Sequence, residues 1–254
     1  MISSEVADEI AVITLAHPPV NALSRRWADA FHKVLDALNG RDDWRVLIIR
    51  SSQRVFSAGG DVKEFAQRLE DPEAGNLLAE EAAYYQGLFL RIESLPQISV
   101  AEIRGVAAGG GFELALACDL RIAAESARVG LPEVGLGLLP SAGGMQRMTR
   151  LCGRGVAMRL VGGAEMVSGR QAHDLGLVEW VVSDSEFDRD VAEITTRLVG
   201  QPREALRAAK SCIGAALDPN RDGYAEAAKA PRFLMNSPET RAKITAFLRK
   251  SSKG

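Results

Sequence analysis

Arg104-Gly105-Val106-Ala107-Ala108-Gly109-Gly110-Gly111-Phe112-Glu113-Leu114 is the stretch around which this chain is organised. It follows Ile98-Ser99-Val100-Ala101-Glu102-Ile103, an apolar run that reads as a buried strand, and leads into residues 112–118, which read as a buried helix. Glycines at the junction lack a Cβ, so another backbone can lie against them. Amides freed at a helix start can point at an anionic oxygen. Glu113 then stands in an apolar turn, and a buried carboxylate is costly unless it is used or paired. The junction therefore offers donors for a negative oxygen and an acid/base group within one helical turn. The plainer alternative is a tight strand-to-helix turn with Glu113 facing water.

A second glycine junction, Ser57-Ala58-Gly59-Gly60-Asp61, follows the doubly covered strand Val46-Leu47-Ile48-Ile49 and precedes the helical Val62-Lys63-Glu64-Phe65. If the two junctions lie side by side, one amide from each could hold a single carbonyl oxygen as it becomes an enolate. Losing one donor of such an oxyanion hole costs roughly 3–4 kcal/mol of barrier. Glu133 supplies a second acid inside Leu131-Pro132-Glu133-Val134-Gly135-Leu136, part of a Gly/Pro-punctuated loop at 131–140. Two carboxylates in one site resist ionising together, so one can keep a proton near neutrality. Such a pair can do acid and base work on one water.

Other elements are read from periodicity and caps. Residues 10–15 form a strand, followed by an irregular turn at His17-Pro18-Pro19-Val20-Asn21-Ala22-Leu23. Ser24 caps a helix with Trp27, Phe31, Val34, Leu35 and Leu38 on one face, closed by Asn39-Gly40. Residues 71–76 form a polar break before a helix that starts at Leu78 and carries Ala82, Tyr85, Phe89 and Ile92. Short strands are expected at 119–123, around Val129 and at 178–182, and short helices at 143–151 and 154–160. Ser168-Gly169-Arg170-Gln171 matches a capping box, with Gly176 closing that helix. Ser141 reads as a helix N-cap, or alternatively as a group facing the water between the acids. After Ser185 the chain is helical: Leu206, Lys210, Ile213 and Leu217 share a face, and Ser237-Pro238 opens a last helix with Ile244, Phe247 and Leu248.

Strand, glycine loop and helix recur at 46–65, 98–118 and 120–151, which suggests an α/β spiral of sheets with helices outside. The expected division is a spiral core at 1–195 and a C-terminal helical region at 196–254.

The net charge of −2 gives no strong field favouring nucleic acid or an acidic membrane surface, a local basic pocket aside, and no run of 18 apolar residues occurs. Three separated cysteines, Cys118, Cys152 and Cys212, suit a reducing compartment and match no metal spacing. With no signal-peptide pattern at the N-terminus, a cytoplasmic location is expected. There is no G-x-S-x-G elbow, Walker A pattern or dinucleotide fingerprint. His32 and His173 lie on predicted surface helices, and His17 belongs to a proline turn.

Residues 56–64, 105–114 and 131–136 with Gly143-Gly144, in this order and spacing, resemble the crotonase (enoyl-CoA hydratase/isomerase) superfamily along nearly the whole chain. Asn21-Ala22-Leu23 and Ala172, Leu175, Gly176, Leu177 and Val178 fit the same pattern. The resemblance implies a ββα spiral with a helical trimerisation region, and a homotrimer or homohexamer. It implies that the Gly60 and Gly110 amides hold the thioester carbonyl, that Glu113 activates water, and that Glu133 exchanges the α-carbon proton. Ala58, Gly59, Asp61, Val62, Gly109, Pro132 and Ser141 fall where the family contacts the coenzyme A or acyl portions. The implied reaction adds water to a trans-2-enoyl-CoA, with coenzyme A as part of the substrate and no separate cofactor. Double-bond isomerisation, hydrolysis, decarboxylation or non-catalytic acyl-CoA binding are the rival uses of the scaffold. An isomerase commonly keeps only the acid at position 133. At position 141 well-known hydratases carry a glycine whose amide helps hold the water, and this chain has Ser141.

Overall fold

The computed structural model describes residues 1–251. Its strands, in chain order, are β1 (Ile2–Ala7), β2 (Ile10–Leu15), β3 (Val46–Ser51), β4 (Ile98–Ile103), β5 (Val106–Ala108), β6 (Leu120–Ala124), β7 (Arg128–Gly130), β8 (Val167–Ser168) and β9 (Trp180–Val182). The helices are α1 (Arg25–Leu38), α2 (Val62–Gln67), α3 (Ala74–Glu93), α4 (Gly110–Ala117), α5 (Gly144–Gly162), α6 (Gly169–Asp174), α7 (Phe187–Val199), α8 (Arg203–Ala215), α9 (Gly223–Lys229), α10 (Pro231–Leu234) and α11 (Pro238–Ser251).

The continuous apolar runs become interior strands. One sheet has the order β1-β2-β3-β4-β6-β9, parallel except for the β1–β2 hairpin, with Val46 opposite Ile98 and Val100 opposite Leu120. A smaller sheet, β5-β7-β8, forms the second turn of the spiral. Between them lies a core that includes Ile49, Val100, Ile103, Phe112 and Val129, all fully buried. Helix α4 is buried along its length, so both sheets enclose the glycine junction that precedes it.

Several expectations hold in detail. The Trp27 amide donates to Ser24 Oγ, and Trp27, Phe31, Leu35 and Leu38 turn inward. The capping box at Ser168 and Gln171 is closed on both sides. The helical stretch at 144–162 breaks at Gly153, whose φ of +76° separates the two expected helices.

Others need correction. β1 carries mostly exposed polar residues, as an edge strand does, and gives no alternation to read. β5 has only three residues. Helix α3 begins at Ala74, inside the expected polar break, where Gly75, Asn76 and Leu77 are exposed and give no apolar period to read. The expected loop at 131–140 contains a 3-10 turn, Pro132–Leu136. Ser141 is not an N-cap: that position belongs to Gly143, in the left-handed region with φ +96° and without a side-chain cap. The expected face is divided: Leu206 and Lys210 on α8 are half-buried, Ile213 is exposed, and Leu217 lies exposed beyond the end of the helix. Lys210 is turned inward by charge, its Nζ lying 2.6 Å from Asp119 Oδ2. Asp119 in turn accepts from the buried Ser99 amide and hydroxyl on β4.

Arg121 on β6 fixes the far end of α4. Its guanidinium is almost fully buried, donates to the carbonyls of Cys118 at 2.8 Å and Leu177 at 2.9 Å, and pairs with Glu179 at 2.5 Å. These bonds satisfy carbonyls that a helix end leaves without partners. Replacing Arg121 with Met should lower unfolding stability by about 3 kcal/mol in a denaturant titration, because a carboxylate and several carbonyls lose their donor.

Candidate active site

The two glycine junctions cross at the edge between the sheets. Ser57 and Ala107 form a parallel bridge, and the Ala108 amide donates to the Ser57 carbonyl at 2.9 Å. Gly59 has φ +87°, and a Cβ there would lie 2.8 Å from the Ala108 oxygen and 3.1 Å from the Gly110 nitrogen. Gly109, with φ +53°, would place a Cβ 2.7 Å from Glu133 Oε1. Neither position admits a side chain, so the close approach of the two backbones is written into the glycines.

Asn21 holds the first junction in place. It is fully buried, and its Nδ2 donates to the Phe56 carbonyl at 2.9 Å and to Ser51 Oγ at 2.8 Å. The Ser57 hydroxyl returns a bond to the Asn21 carbonyl at 2.8 Å. The Leu23 and Ala58 amides are spent on the Gly59 and Val20 carbonyls. The Gly60 and Gly110 amides donate to no backbone carbonyl among the described residues, and both glycines line one cavity of about 380 Å3. Gly110 is also the first residue of α4, where the helix dipole favours negative charge.

Both acids line the same cavity. Glu113 is 3% exposed, and its Oε1 accepts from the Ala142 and Gly144 amides, each at 2.8 Å. Its Oε2 accepts no hydrogen bond among the described residues, which leaves that oxygen for a ligand or water. Burial pushes the Glu113 carboxyl up to about 7, the nearby Glu133 charge adds to the rise, and the two amides oppose it. Glu133 is also raised, by burial, and its Oε2 is enclosed without a partner. An orphan carboxyl oxygen facing a cavity is a group kept for a ligand or a proton.

Apart from Ser141 and Glu81, which pairs with Arg68 at 2.8 Å, the rest of the cavity is apolar. Phe65 of α2, Leu78, Ala82 and Tyr85 of α3, and Leu138 and Leu139 form its walls. The helical spacing of 78, 82 and 85 is visible in the sequence, although the bodies they face are not.

The expected site residues divide into two groups. Gly60, Gly110, Glu113, Glu133 and Ser141 come together at the cavity. Ala58, Gly59, Asp61, Val62, Gly109 and Pro132 do not line it. Gly59 and Gly109 are buried beneath the crossing, while Ala58 and Val62 are exposed beside it. Asp61 caps α2 by accepting from the Lys63 amide, and Pro132 starts the 3-10 turn that presents Glu133. Sequence reasoning missed the Ala142 amide, a main-chain group at a residue with no distinguishing side chain.

The acidity of Glu113 has a stability consequence. Its carboxyl lies near 7 in the folded protein against an ordinary value of 4.5, so ionisation opposes folding. The penalty is absent below the ordinary value, grows as pH rises through the interval, and is complete above pH 7. Glu113→Gln keeps an acceptor for the two amides and removes the charge. Thermal unfolding should show the variant close to wild type at pH 5 and several degrees more stable at pH 8.

The family model for enoyl-CoA hydratase/isomerase matches residues 5–252. A probable enoyl-CoA hydratase of Bacillus subtilis is 46% identical over 177 residues, covering 70% of this chain and 67% of the relative. The crotonyl-CoA hydratase of Syntrophomonas wolfei is 34% identical, over 97% of this chain and 94% of the relative. Among solved structures, an enoyl-CoA hydratase from Bacillus anthracis superimposes with a TM-score of 0.89 at 32% identity, covering 98% of this chain and 96% of that one. With its spiral of strand, glycine junction and helix, the chain belongs to the enoyl-CoA hydratase/isomerase family of the crotonase superfamily.

Proposed function

We propose that the protein is an enoyl-CoA hydratase, adding water across the double bond of a trans-2-enoyl-CoA to give a 3-hydroxyacyl-CoA. The observation that carries this reading is the sharing of one cavity by two acids and two unengaged junction amides. The Gly60 and Gly110 amides receive the thioester carbonyl, whose oxygen gains negative charge as the enolate forms. Water sits between the carboxyls. Glu113, as carboxylate, takes a proton from it while the oxygen bonds to the β-carbon. Glu133, raised by burial, acts as the acid in its protonated form and gives its proton to the α-carbon. Both acids then return to their starting states by exchange with solvent.

Two acids support hydration over isomerisation, which needs one group to shuttle a single proton. Coenzyme A belongs to the substrate, and the enolate charge falls on backbone amides, so the reading calls for no resident cofactor. Loss of enoyl absorbance on mixing with crotonyl-CoA tests the activity. Glu113→Gln and Glu133→Gln should each reduce turnover by roughly 10²–10⁴-fold with acyl-CoA binding retained. A wild-type protein inert toward enoyl-CoAs would overturn the reading, and near-full activity in either variant would remove that acid from it.

The same reading extends to assembly. Ile213, Phe247 and Leu248 on α8 and α11 are 70%, 69% and 61% exposed, an apolar surface suited to a second copy of the chain. Light scattering at micromolar concentration should give the mass of a trimer or hexamer, and a stable monomer would refute the assembly.

A further inference from the structure

Helix α3 walls the cavity, and it also holds the loop that orients Glu113. Gln86 Nε2 donates to the Ser141 carbonyl at 2.6 Å. The N–H of that same peptide group belongs to Ala142, and it donates to Glu113 Oε1 at 2.8 Å. Two hydrogen bonds therefore run through one planar, rigid unit. Bonds in series polarise one another, so the first strengthens the second.

The next peptide is tied to α3 as well. Arg147 Nη1 donates to the Ala142 carbonyl at 3.1 Å, while its Nη2 donates to Glu93 Oε2 at 2.6 Å. Glu93 is the last residue of α3. The local glycines are what this packing requires. A Cβ on Gly143 would lie 2.5 Å from Arg147 Nη1, and one on Gly144 would lie 2.6 Å from Glu113 Cγ.

We propose that Gln86 is a positioning residue, fixing the Ser141–Ala142 peptide so that the helix lining the acyl cavity also aims the Glu113 carboxylate. The proposal rests on the reading of Glu113 as the water-activating acid. It gives position 141 a role in its main chain: the Ser141 carbonyl receives the tie, and its side chain needs no part in it. The charged groups that bear on Glu113 are Glu133 from the 3-10 turn and Arg147 from α5. Gln86 is neutral and exposed, so replacing it changes neither that balance nor the core.

The test uses Gln86→Met and Gln86→Ala in the intact protein. The first keeps the side-chain length without an N–H, and the second removes the length too. The titration of Glu113 is read by the carboxyl carbon resonance of labelled glutamate, assigned with Glu113→Gln. Turnover is read with crotonyl-CoA.

In both variants the Ala142 amide becomes a weaker and less fixed donor, so the charged form of Glu113 loses support. Its titration should move upward by several tenths of a unit. The kcat should fall about fivefold with KM unchanged and the melting temperature near wild type, the loss expected for one neutral hydrogen bond. An unmoved Glu113 titration in Gln86→Met would overturn the proposal. So would an effect confined to Gln86→Ala, or a rise in KM with a lower melting temperature, since these mark a packing role. The titration needs no turnover, so a protein inert toward enoyl-CoA defeats the hydratase reading while the positioning role is still decided.

Discussion

Glu113 sits under the glycine crossing with one oxygen bound by two main-chain amides and the other left without a partner. Much of the surrounding architecture follows from keeping a carboxyl in that position. Burial alone would drive the group to its neutral form. The Ala142 and Gly144 amides limit that drift, and they leave the carboxyl near 7, where it can both accept and hold a proton. The amides come from a loop that has no regular structure of its own. It is held by Arg147 and Gln86, and both of these are tied to or borne by α3.

The glycine crossing is built by a different device. Backbone amides are free only where a chain leaves a strand and has not yet begun helical bonding. Two such points have to be brought within a few ångströms of one another. The parallel order β3-β4 places their exits side by side, and the glycines remove the atoms that would hold them apart. Asn21, arriving from the turn after β2, ties the Phe56 carbonyl at the start of the first junction to Ser51 at the end of β3. The Gly60 and Gly110 amides are those for which no carbonyl is left among the described residues.

Ion pairs tie the C-terminal helices to the core. Lys210 reaches Asp119, and Arg203 with Arg45 binds Glu9 and Glu239 near the β1–β2 hairpin. Several of their apolar residues point outward, with Phe247 and Leu248 69% and 61% exposed. A single chain thus brings Gly60, Gly110, Glu113 and Glu133 to one cavity, while part of its apolar surface is uncovered.

The sequence by itself determined the features whose cause is local. The β-branched runs at β3 and β4, the Ser24 cap, the Ser168–Gln171 capping box and the break at Gly153 depend on neighbouring residues alone. The glycine junctions and the two acids were legible for the same reason, because glycines beside a solitary carboxylate in an apolar turn conflict with any ordinary core. Only the tertiary structure decided the rest. β1 and β5 exist because a neighbouring strand offers hydrogen bonds, and their own residues show little preference. Lys210 turns inward with Leu206 because Asp119 waits there, while Ile213 and Leu217, placed on the same face by helical spacing, stay exposed. The amides of Ala142 and Gly144 have no side-chain signature at all, and position 141 read as a cap until Gly143 took that place. Which main-chain donors meet Glu113 depends on where a loop is held by α3, a contact across 55 residues that no local pattern encodes.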